Sequence, residues 1–296
     1  TTVLVPSVPG GASREVDGTL EVRRFRYFPR RWEDLADGAI LENLRSRKSR
    51  WAQVLPLFLA EVLAIRREVR QVKPDVIQVH WLIPQGLAAL IAAPKVPKLV
   101  TVHGGDIYGL RDRVSRRLFR AILKNADAVT TMNTDMRDRL VELGADAATT
   151  VVLSMGADVT SIRPLAAAAE RCTGRILFVG RLVEKKGVSV LLEALRLLED
   201  TGYDLHIAGD GPLRSQLTSD ASGLRVTFLG VLGREALAAE FGAASIAVFP
   251  SVAAVSGDQD GLPVALLEAM SLGCAVVASD LPGLRDAVED GRSGLL

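Results

Sequence analysis

The chain has 296 residues, of which 48% are hydrophobic and 24% are charged, and its formal net charge is +1. This length exceeds the usual size of one hydrophobic core and predicts two domains, and the composition excludes an intrinsically disordered chain. The nearly balanced charge excludes a general attraction to nucleic acid, so a bound anion must be held by locally placed cations and backbone donors.

Cellular location is indicated by the cysteines and by the apolar segments. The two cysteines, Cys172 and Cys274, stand far apart in the sequence, which is typical of a reducing compartment rather than of a disulfide framework. Residues 1–12 lack the basic start and apolar core of a secretory leader. The longest apolar stretch, residues 52–65, is interrupted by polar residues and is shorter than the ~20 apolar residues of a spanning helix. We therefore expect a cytoplasmic protein without a membrane-spanning segment.

In the first half of the chain, short apolar runs rich in β-formers alternate with segments of helical period. This pattern is typical of parallel sheets covered by helices on both faces. The predicted strands are residues 2–5, 75–79, 98–102, 128–131 and 150–153, and the predicted helices are residues 53–72, 112–124 and 134–143. The first strand has neither a visible partner strand nor a preceding Gly-rich turn, although doubly wound domains normally begin with that unit.

A linker is predicted after Leu153, where glycine, proline and a run of alanines interrupt the pattern. We place the boundary near residue 165, so that residues 1–165 form an N-terminal domain and residues 166–296 a C-terminal domain. The second half repeats the alternation, with predicted strands at residues 176–179, 204–208, 225–229, 246–249 and 275–278. Another strand begins at the last residues, and we expect one strand segment to be missing at each end.

The segment from Gly180 to Gly187 leaves a strand, turns and enters a helix, and it carries Arg181 and Lys186. Backbone donors and the positive end of a helix attract anions, and two cations about one loop apart can clamp the oxygens of a diphosphate. The alternative interpretation is a solvated basic turn, because short motifs have high false-positive rates.

A second segment, residues 257–270, places Asp260 before a Gly261-Leu262-Pro263 turn that opens a helix. Asp260 at the helix entrance would face a polar ligand whose phosphate reaches the amides of that turn. Glu268 lies two turns deeper on an otherwise apolar helix, where a carboxylate suits a pair of hydroxyls. Alternatively, Asp260 balances the helix dipole and Glu268 is a surface charge.

Together these segments resemble the donor site of family-4 retaining glycosyltransferases, a GT-B group that uses sugars activated by UDP or GDP. Further stretches share the resemblance, namely residues 73–81, 103–106, 208–212 and 269–278. The resemblance implies an α/β fold of two Rossmann-like domains that face each other across a cleft. The second domain would bind the donor and the first the acceptor.

The resemblance also implies a role for each matching residue. The donor diphosphate would be held by Arg181 and Lys186, the ribose by Glu268 and the hydroxyls of the donor sugar by Asp260. The turn formed by Gly261, Leu262 and Pro263 would also bind the donor. His103 would lie beside the transferred sugar, and His80 and Asp106 would lie on the acceptor side. The catalytic set is then His103, Asp260, Arg181 and Lys186. Neither a metal nor a cofactor is expected beyond the nucleotide sugar, because side chains and helix amides stabilise the leaving diphosphate. Asp260 departs from the family pattern, which usually has Glu there.

The implied activity is transfer of a sugar from a UDP- or GDP-sugar, with retention, to a glycan or lipid-linked acceptor in cell-surface polysaccharide or glycolipid synthesis. Alternatives are a nucleotide-sugar epimerase or phosphorylase of the same architecture and a non-catalytic nucleotide-sugar binding module. Binding of NAD is disfavoured, because the Gly209–Arg214 stretch lacks the third glycine of the dinucleotide motif. His206 lies within an apolar strand and is interpreted as a core histidine with satisfied partners.

A stretch from Arg23 to Trp32 interleaves cations with aromatic residues, and residues 45–50 add basic charge before an amphipathic helix. Such a surface suits peripheral contact with the anionic inner face of a membrane, where lipid-linked acceptors reside. A loop that recognises a sugar or phosphate and a plain solvated face are the alternatives.

Overall fold

A computed structural model of the chain describes residues 1–38, 40–109, 112–198, 202–255 and 257–296. The side chain of Arg45, part of the predicted basic segment, lies outside the described residues.

Strands and helices alternate through most of the chain. The strands are β1 (Thr2–Pro6), β2 (Arg14–Asp17), β3 (Leu20–Phe25), β4 (Ile77–His80), β5 (Lys98–Val102), β6 (Ala128–Thr131), β7 (Thr150–Val152), β8 (Cys172–Val179), β9 (Asp204–Ala208), β10 (Val226–Gly230), β11 (Ala244–Phe249) and β12 (Ala275–Ala278). The α-helices are α1 (Ile40–Ser46), α2 (Val54–Val72), α3 (Leu87–Ala92), α4 (Gly104–Gly109), α5 (Arg113–Leu123), α6 (Thr134–Leu143), α7 (Val159–Ala166), α8 (Val188–Leu197), α9 (Arg214–Asp220), α10 (Arg234–Ala243), α11 (Val264–Ser271) and α12 (Pro282–Arg285).

These strands form sheets of order β1-β3-β2, β4-β5-β6-β7 and β10-β9-β8-β11-β12. The five-stranded sheet is parallel throughout. The predicted α/β class is therefore confirmed, and each predicted strand is present near its expected position.

The expectation that the first strand lacks a partner is wrong. β1 pairs in parallel with β3, and β3 also pairs in antiparallel fashion with β2. The sequence did not predict β2 and β3, because charged residues interrupt the apolar pattern of a strand there. In the structure, Arg23 forms ion pairs with Glu21 and Glu68. The predicted basic and aromatic segment thus begins inside a strand whose cations already have partners.

The core of the five-stranded sheet explains why its strands read as continuous apolar runs. Successive residues of β8 point to opposite faces, so Ile176 and Phe178 pack with α8 and α9 while Leu177 packs against the α10 and α11 side. Since all five strands are parallel, their carboxyl ends meet at one edge. The loops after β8, β9, β11 and β12 leave the sheet there, which is where open α/β sheets bind ligands.

Two compact units make up the chain, and neither is continuous in sequence. The N-terminal unit contains residues 1–102, 112–129 and 143–149, and the C-terminal unit contains residues 103–111, 130–142 and 150–296. His103 and Asp106 therefore belong to the same unit as Asp260. The predicted division into residues 1–165 and 166–296 stays a prediction.

His206 lies on β9 with its side chain 12% exposed, and each ring nitrogen faces a carboxylate. Nδ1 is 2.8 Å from Glu240 Oε2, and Nε2 is 3.1 Å from Asp204 Oδ2. These contacts agree with the interpretation of His206 as a histidine with satisfied partners. In the part of the chain that the structure describes, no helix has the length and apolar character needed to cross a membrane.

The helix α2 buries a carboxyl group, that of Glu61, beside Leu57 and Val62. Burial raises the pKa of Glu61 to about 7. Because the pKa is higher in the folded state than in the unfolded chain, the folded state binds more protons between the two values. The free energy of unfolding therefore falls as the pH rises from about 4.5 to about 7.

We expect Glu61→Gln to raise the free energy of unfolding at pH 8 by on the order of 3 kcal/mol and to have little effect near pH 4.5. Urea denaturation at both pH values measures the difference. The control is Glu193→Gln, at an exposed position of α8, which should be insensitive to pH. An equal effect of Glu61→Gln at both pH values would show that folding does not raise the pKa of Glu61.

Candidate functional site

The loop after β8 lies directly against the loop after β11. Gly187 has a φ of +64°, and a Cβ at this position would lie 1.8 Å from the carbonyl oxygen of Pro250. Only glycine permits so close an approach in that conformation. The backbone N–H of Val252 donates to the carbonyl of Lys185 at 2.9 Å. The two loops are therefore joined through their backbones at the carboxyl edge of the sheet.

Two Lys–Asp ion pairs connect the same loops. Lys186 Nζ lies 2.8 Å from Asp260 Oδ2, and Lys185 Nζ lies 3.0 Å from Asp258 Oδ2. Ser251 Oγ also donates to Asp260 Oδ2, at 2.6 Å. Asp260 is buried, with 6% of its surface exposed. Lys186 and Asp260, which the sequence assigned to different parts of a donor, thus contact each other.

Arg181 is exposed at the end of β8, while the neighbouring Leu182 is fully buried. The backbone N–H of Gly180 donates to Ala208 and that of Leu182 donates to Asp210, so this segment runs beside the loop after β9. The exposed guanidinium and the Lys186 ammonium therefore belong to one short loop at the carboxyl edge of the sheet.

Glu268 is half-buried on α11, which begins directly after Pro263. It lines a cavity of about 160 Å³ together with Asp158, Arg234 and Phe241, and neither Lys186 nor Asp260 lies in its wall. Burial raises the pKa of Glu268, and the nearby Arg234 opposes this shift. The volume is below the ~300 Å³ of common small-molecule pockets, so the cavity accommodates only part of a nucleotide.

His103 directly precedes α4, and Asp106 lies in the first turn of this helix. The Asp106 carboxylate is 1% exposed, and its Oδ2 accepts the backbone N–H of His103 at 3.2 Å. A Cβ at Gly104 would lie 3.2 Å from the carbonyl of Gln259, so this helix begins close to the loop of Asp260. The acceptor-side role of Asp106 stays a prediction, and the buried carboxylate caps the turn that carries His103.

His80 is exposed at the carboxyl end of β4, in the N-terminal unit. Its acceptor-side role stays a prediction, as do the donor-binding roles of Gly261, Leu262 and Pro263. Among the described residues, no cluster of three or more His, Cys, Asp and Glu side chains is arranged to hold a metal.

The sequence analysis missed several residues that surround the turn at Gly261. Asn133, which is fully buried, donates from Nδ2 to the carbonyl of Gly261 at 3.1 Å. Asp286 accepts both the backbone N–H and the hydroxyl of Thr134, at 2.6 and 2.8 Å. Asn133, directly before the predicted helix 134–143, is a helix-start signal, but nothing in the sequence indicates what lies against it.

Family models match almost the whole chain. The model described as Glycosyltransferase Family 4 matches residues 1–161, and the model described as Glycosyl transferases group 1 matches residues 173–296.

Two curated relatives illustrate the similarity. The amylovoran biosynthesis glycosyltransferase AmsK of Erwinia amylovora is 31% identical over 83% of this chain and 62% of its own length. The glycogen synthase of Mycobacterium tuberculosis is 32% identical over 76% of this chain and 57% of its own length. The chain therefore spans about three fifths of the length of these relatives.

Solved structures share the fold at lower identity. The sucrose-phosphate synthase of Thermosynechococcus elongatus superposes with a TM-score of 0.75 at 20% identity, over 99% of this chain and 74% of its own. Anabaena HepE in complex with UDP-glucose has a TM-score of 0.63 at 20% identity, over 93% of this chain and 71% of its own.

Gly283 packs against the turn that follows Asp260. A Cβ there would lie 1.5 Å from the carbonyl oxygen of Gly261 and 2.8 Å from Asn133 Nδ2. We expect Gly283→Ala to lower the free energy of unfolding by about 3 kcal/mol or more, because backbone must shift to relieve the overlap. Urea denaturation measures this loss. Gly233→Ala is the matched control, since a Cβ at Gly233 meets open space. Equal stability of the two variants would show that the turn is not packed as described.

Proposed function

Because the chain belongs to glycosyltransferase family 4, we propose that it transfers a sugar, with retention of anomeric configuration, from a UDP- or GDP-sugar to a glycan or lipid-linked acceptor. The observation that carries this proposal is the contact of Lys186 with Asp260 at the carboxyl edge of the parallel sheet. A cation for phosphate and a carboxylate for sugar hydroxyls are thereby held side by side.

Stabilisation of the leaving diphosphate is assigned to Arg181 and Lys186. An ammonium has three N–H donors, so Lys186 can hold the Asp260 carboxylate and a phosphate oxygen at once. The N-terminus of α11 follows Pro263 directly, and its positive dipole adds to the attraction. Preorganised charges of this kind act where negative charge develops during bond cleavage. In this proposal no metal takes part.

Recognition of the donor sugar is assigned to Asp260. Ser251 and Lys186 hold one oxygen of its carboxylate, and in this proposal the other oxygen accepts a hydrogen bond from a sugar hydroxyl. His103 is assigned to the transferred sugar and Glu268 to the ribose hydroxyls. The cavity beside Glu268, between α7, α10 and α11, offers room for the ribose end of the nucleotide.

The names of the relatives support the class of product. AmsK is named for amylovoran biosynthesis, and a further relative is named for colanic acid biosynthesis. Both names refer to the biosynthesis of a polysaccharide, so we assign this chain to polysaccharide or glycolipid synthesis. The donor nucleotide stays open between UDP and GDP.

The proposal predicts that the protein consumes at least one UDP- or GDP-sugar and that Asp260→Asn lowers kcat/KM for that donor by about 10- to 100-fold. The affinity for free UDP or GDP should not fall, because the substitution releases Lys186 from its carboxylate partner. A panel of UDP-, GDP- and ADP-sugars, with product configuration read by NMR and nucleotide affinity by calorimetry, provides the measurement.

The matched control is Asp258→Asn, which breaks the second Lys–Asp pair between the same loops. It should change kcat/KM much less than Asp260→Asn. Binding of a nucleotide sugar without turnover would favour the non-catalytic module, and an epimerised donor would favour the epimerase. Equal losses in both Asp variants would mean that the pairs only join the loops.

Peripheral membrane contact is also part of the proposal, and we assign it to a surface other than the predicted segment. Trp51, Leu55, Leu59 and Leu63 follow one another at intervals of four residues, and each is more than half exposed. Side chains at this spacing are neighbours on a helix. They form an apolar stripe that runs from the turn before α2 along the helix.

The exposed charged residues of the segment that carries this stripe are all cations. The exposed residues between Ser46 and Lys73 include no Asp or Glu, and they include the cations Arg47, Lys48, Arg66, Arg67, Arg70 and Lys73. The carboxylates of this stretch are withdrawn from the surface, since Glu61 is buried and Glu68 pairs with Arg23. An apolar stripe among cations complements an anionic lipid bilayer.

We expect the protein to bind vesicles that contain phosphatidylglycerol and to bind pure phosphatidylcholine vesicles weakly. Leu59→Asp should weaken binding to the anionic vesicles by about tenfold or more, because it removes an apolar side chain that enters the bilayer on binding and adds a repelled charge. Co-sedimentation gives the binding constants. Leu197→Asp, at an exposed leucine of the C-terminal unit, is the control. Equal binding of wild type and Leu59→Asp would show that α2 does not contact the membrane.

A further inference from the structure

A buried hydrogen-bond network connects α4 and the start of α6 to the turn that carries Asp260, and its centre is the hydroxyl of Tyr108. We infer that Tyr108 and Asn133 are positioning residues, which hold Asp260 in place for the sugar-transfer reaction. This inference rests on the proposed function, whereas the hydrogen bonds from which it is argued do not depend on that function.

The Tyr108 hydroxyl contacts three polar side chains. It donates to Asp135 Oδ2 at 2.7 Å, and it also has hydrogen-bond contacts with the side chains of Gln259 and Asn133. A phenol has one donor and two acceptor positions, so one hydroxyl can serve all three. Tyr108 is fully buried, and its burial together with the Asp135 carboxylate raises its pKa to about 12. The hydroxyl therefore remains a donor at physiological pH.

Asn133 bonds through both ends of its side-chain amide. Its Oδ1 accepts the backbone N–H of Met136 at 2.8 Å, which caps α6. Its Nδ2 donates to the carbonyl of Gly261 at 3.1 Å, and the side chain also contacts the Tyr108 hydroxyl. The side chain therefore joins a helix start, a tyrosine and the turn beside Asp260.

This network forms hydrogen bonds with the residues on both sides of Asp260. Gln259 is held through its side chain by Tyr108, and Gly261 is held through its carbonyl by Asn133. With the flanking residues held in this way, Ser251 and Lys186 bond the Asp260 carboxylate itself. A preorganised carboxylate loses little on binding a sugar, so the network contributes to turnover rather than to nucleotide affinity.

The same network links two proposed parts of the reaction centre. His103 directly precedes α4, and Tyr108 lies within this helix, so one short segment of chain contains His103 and the centre of the network. Tyr108 and Asn133 act on the reaction through Asp260.

The test uses Tyr108→Phe, which removes the hydroxyl and keeps the ring. We expect kcat with the best donor to fall by about fivefold or more while the dissociation constants of UDP and GDP change by less than about twofold. Amide hydrogen exchange of residues 257–263 should become faster. The matched control is Tyr27→Phe, whose buried hydroxyl accepts the backbone N–H of Ala36 in the N-terminal unit. It should alter neither kcat nor the exchange of residues 257–263.

Two outcomes overturn the inference. The first is unchanged exchange of residues 257–263 in Tyr108→Phe, a result that can be read even if the wild type transfers no sugar. The second is faster exchange with unchanged kcat, which would give Tyr108 a purely structural role. A wild type that turns over no nucleotide sugar would instead refute the proposed function. In that case the exchange experiment still decides whether the network holds the turn of Asp260.

Discussion

The ion pair between Lys186 and Asp260 joins the loop after β8 to the loop after β11, and the arrangement of the candidate site depends on it. A largely buried charge is costly unless it is paired and hydrogen-bonded, and here the cost is offset by Lys186 together with the Ser251 hydroxyl. The pair forms because Gly187 lets the two backbones approach to a distance that any Cβ would prevent. A cation suited to phosphate and a carboxylate suited to hydroxyls are thereby placed at the carboxyl edge of the sheet.

A second constraint acts from the side of α4 and α6. Tyr108 of α4 donates to Asp135 of α6, and Asn133 donates to the backbone carbonyl of Gly261 beside Asp260. Hydrogen bonds in a low-dielectric interior favour one geometry, because a displacement leaves a buried donor or acceptor unpaired. Residues 103–111 and 130–142 belong to the C-terminal unit although they lie in the first half of the sequence.

In the N-terminal unit, charge pairing decides which surfaces remain basic. Arg23 and Arg24 bond to carboxylates within or beside the β1-β3-β2 sheet, so they contribute little to an external positive patch. The exposed face of α2 has cations with no exposed carboxylate among them, and it also exposes a row of large apolar side chains. The same helix buries Glu61 on its inner side, which makes the stability of this unit depend on pH.

The sequence by itself determined the α/β class, the approximate positions of most strands and the loops that carry Arg181, Lys186 and Asp260. Hydrophobic period and turn residues are local, and a parallel sheet brings the carboxyl ends of its strands together whatever the side chains are. Only the tertiary structure decided that Lys186 contacts Asp260, that Glu268 faces a cavity with Arg234, and that β1 has a partner strand. It also revealed Tyr108 and Asn133, because a hydrogen bond between residues more than a hundred positions apart leaves no periodic signal in the chain.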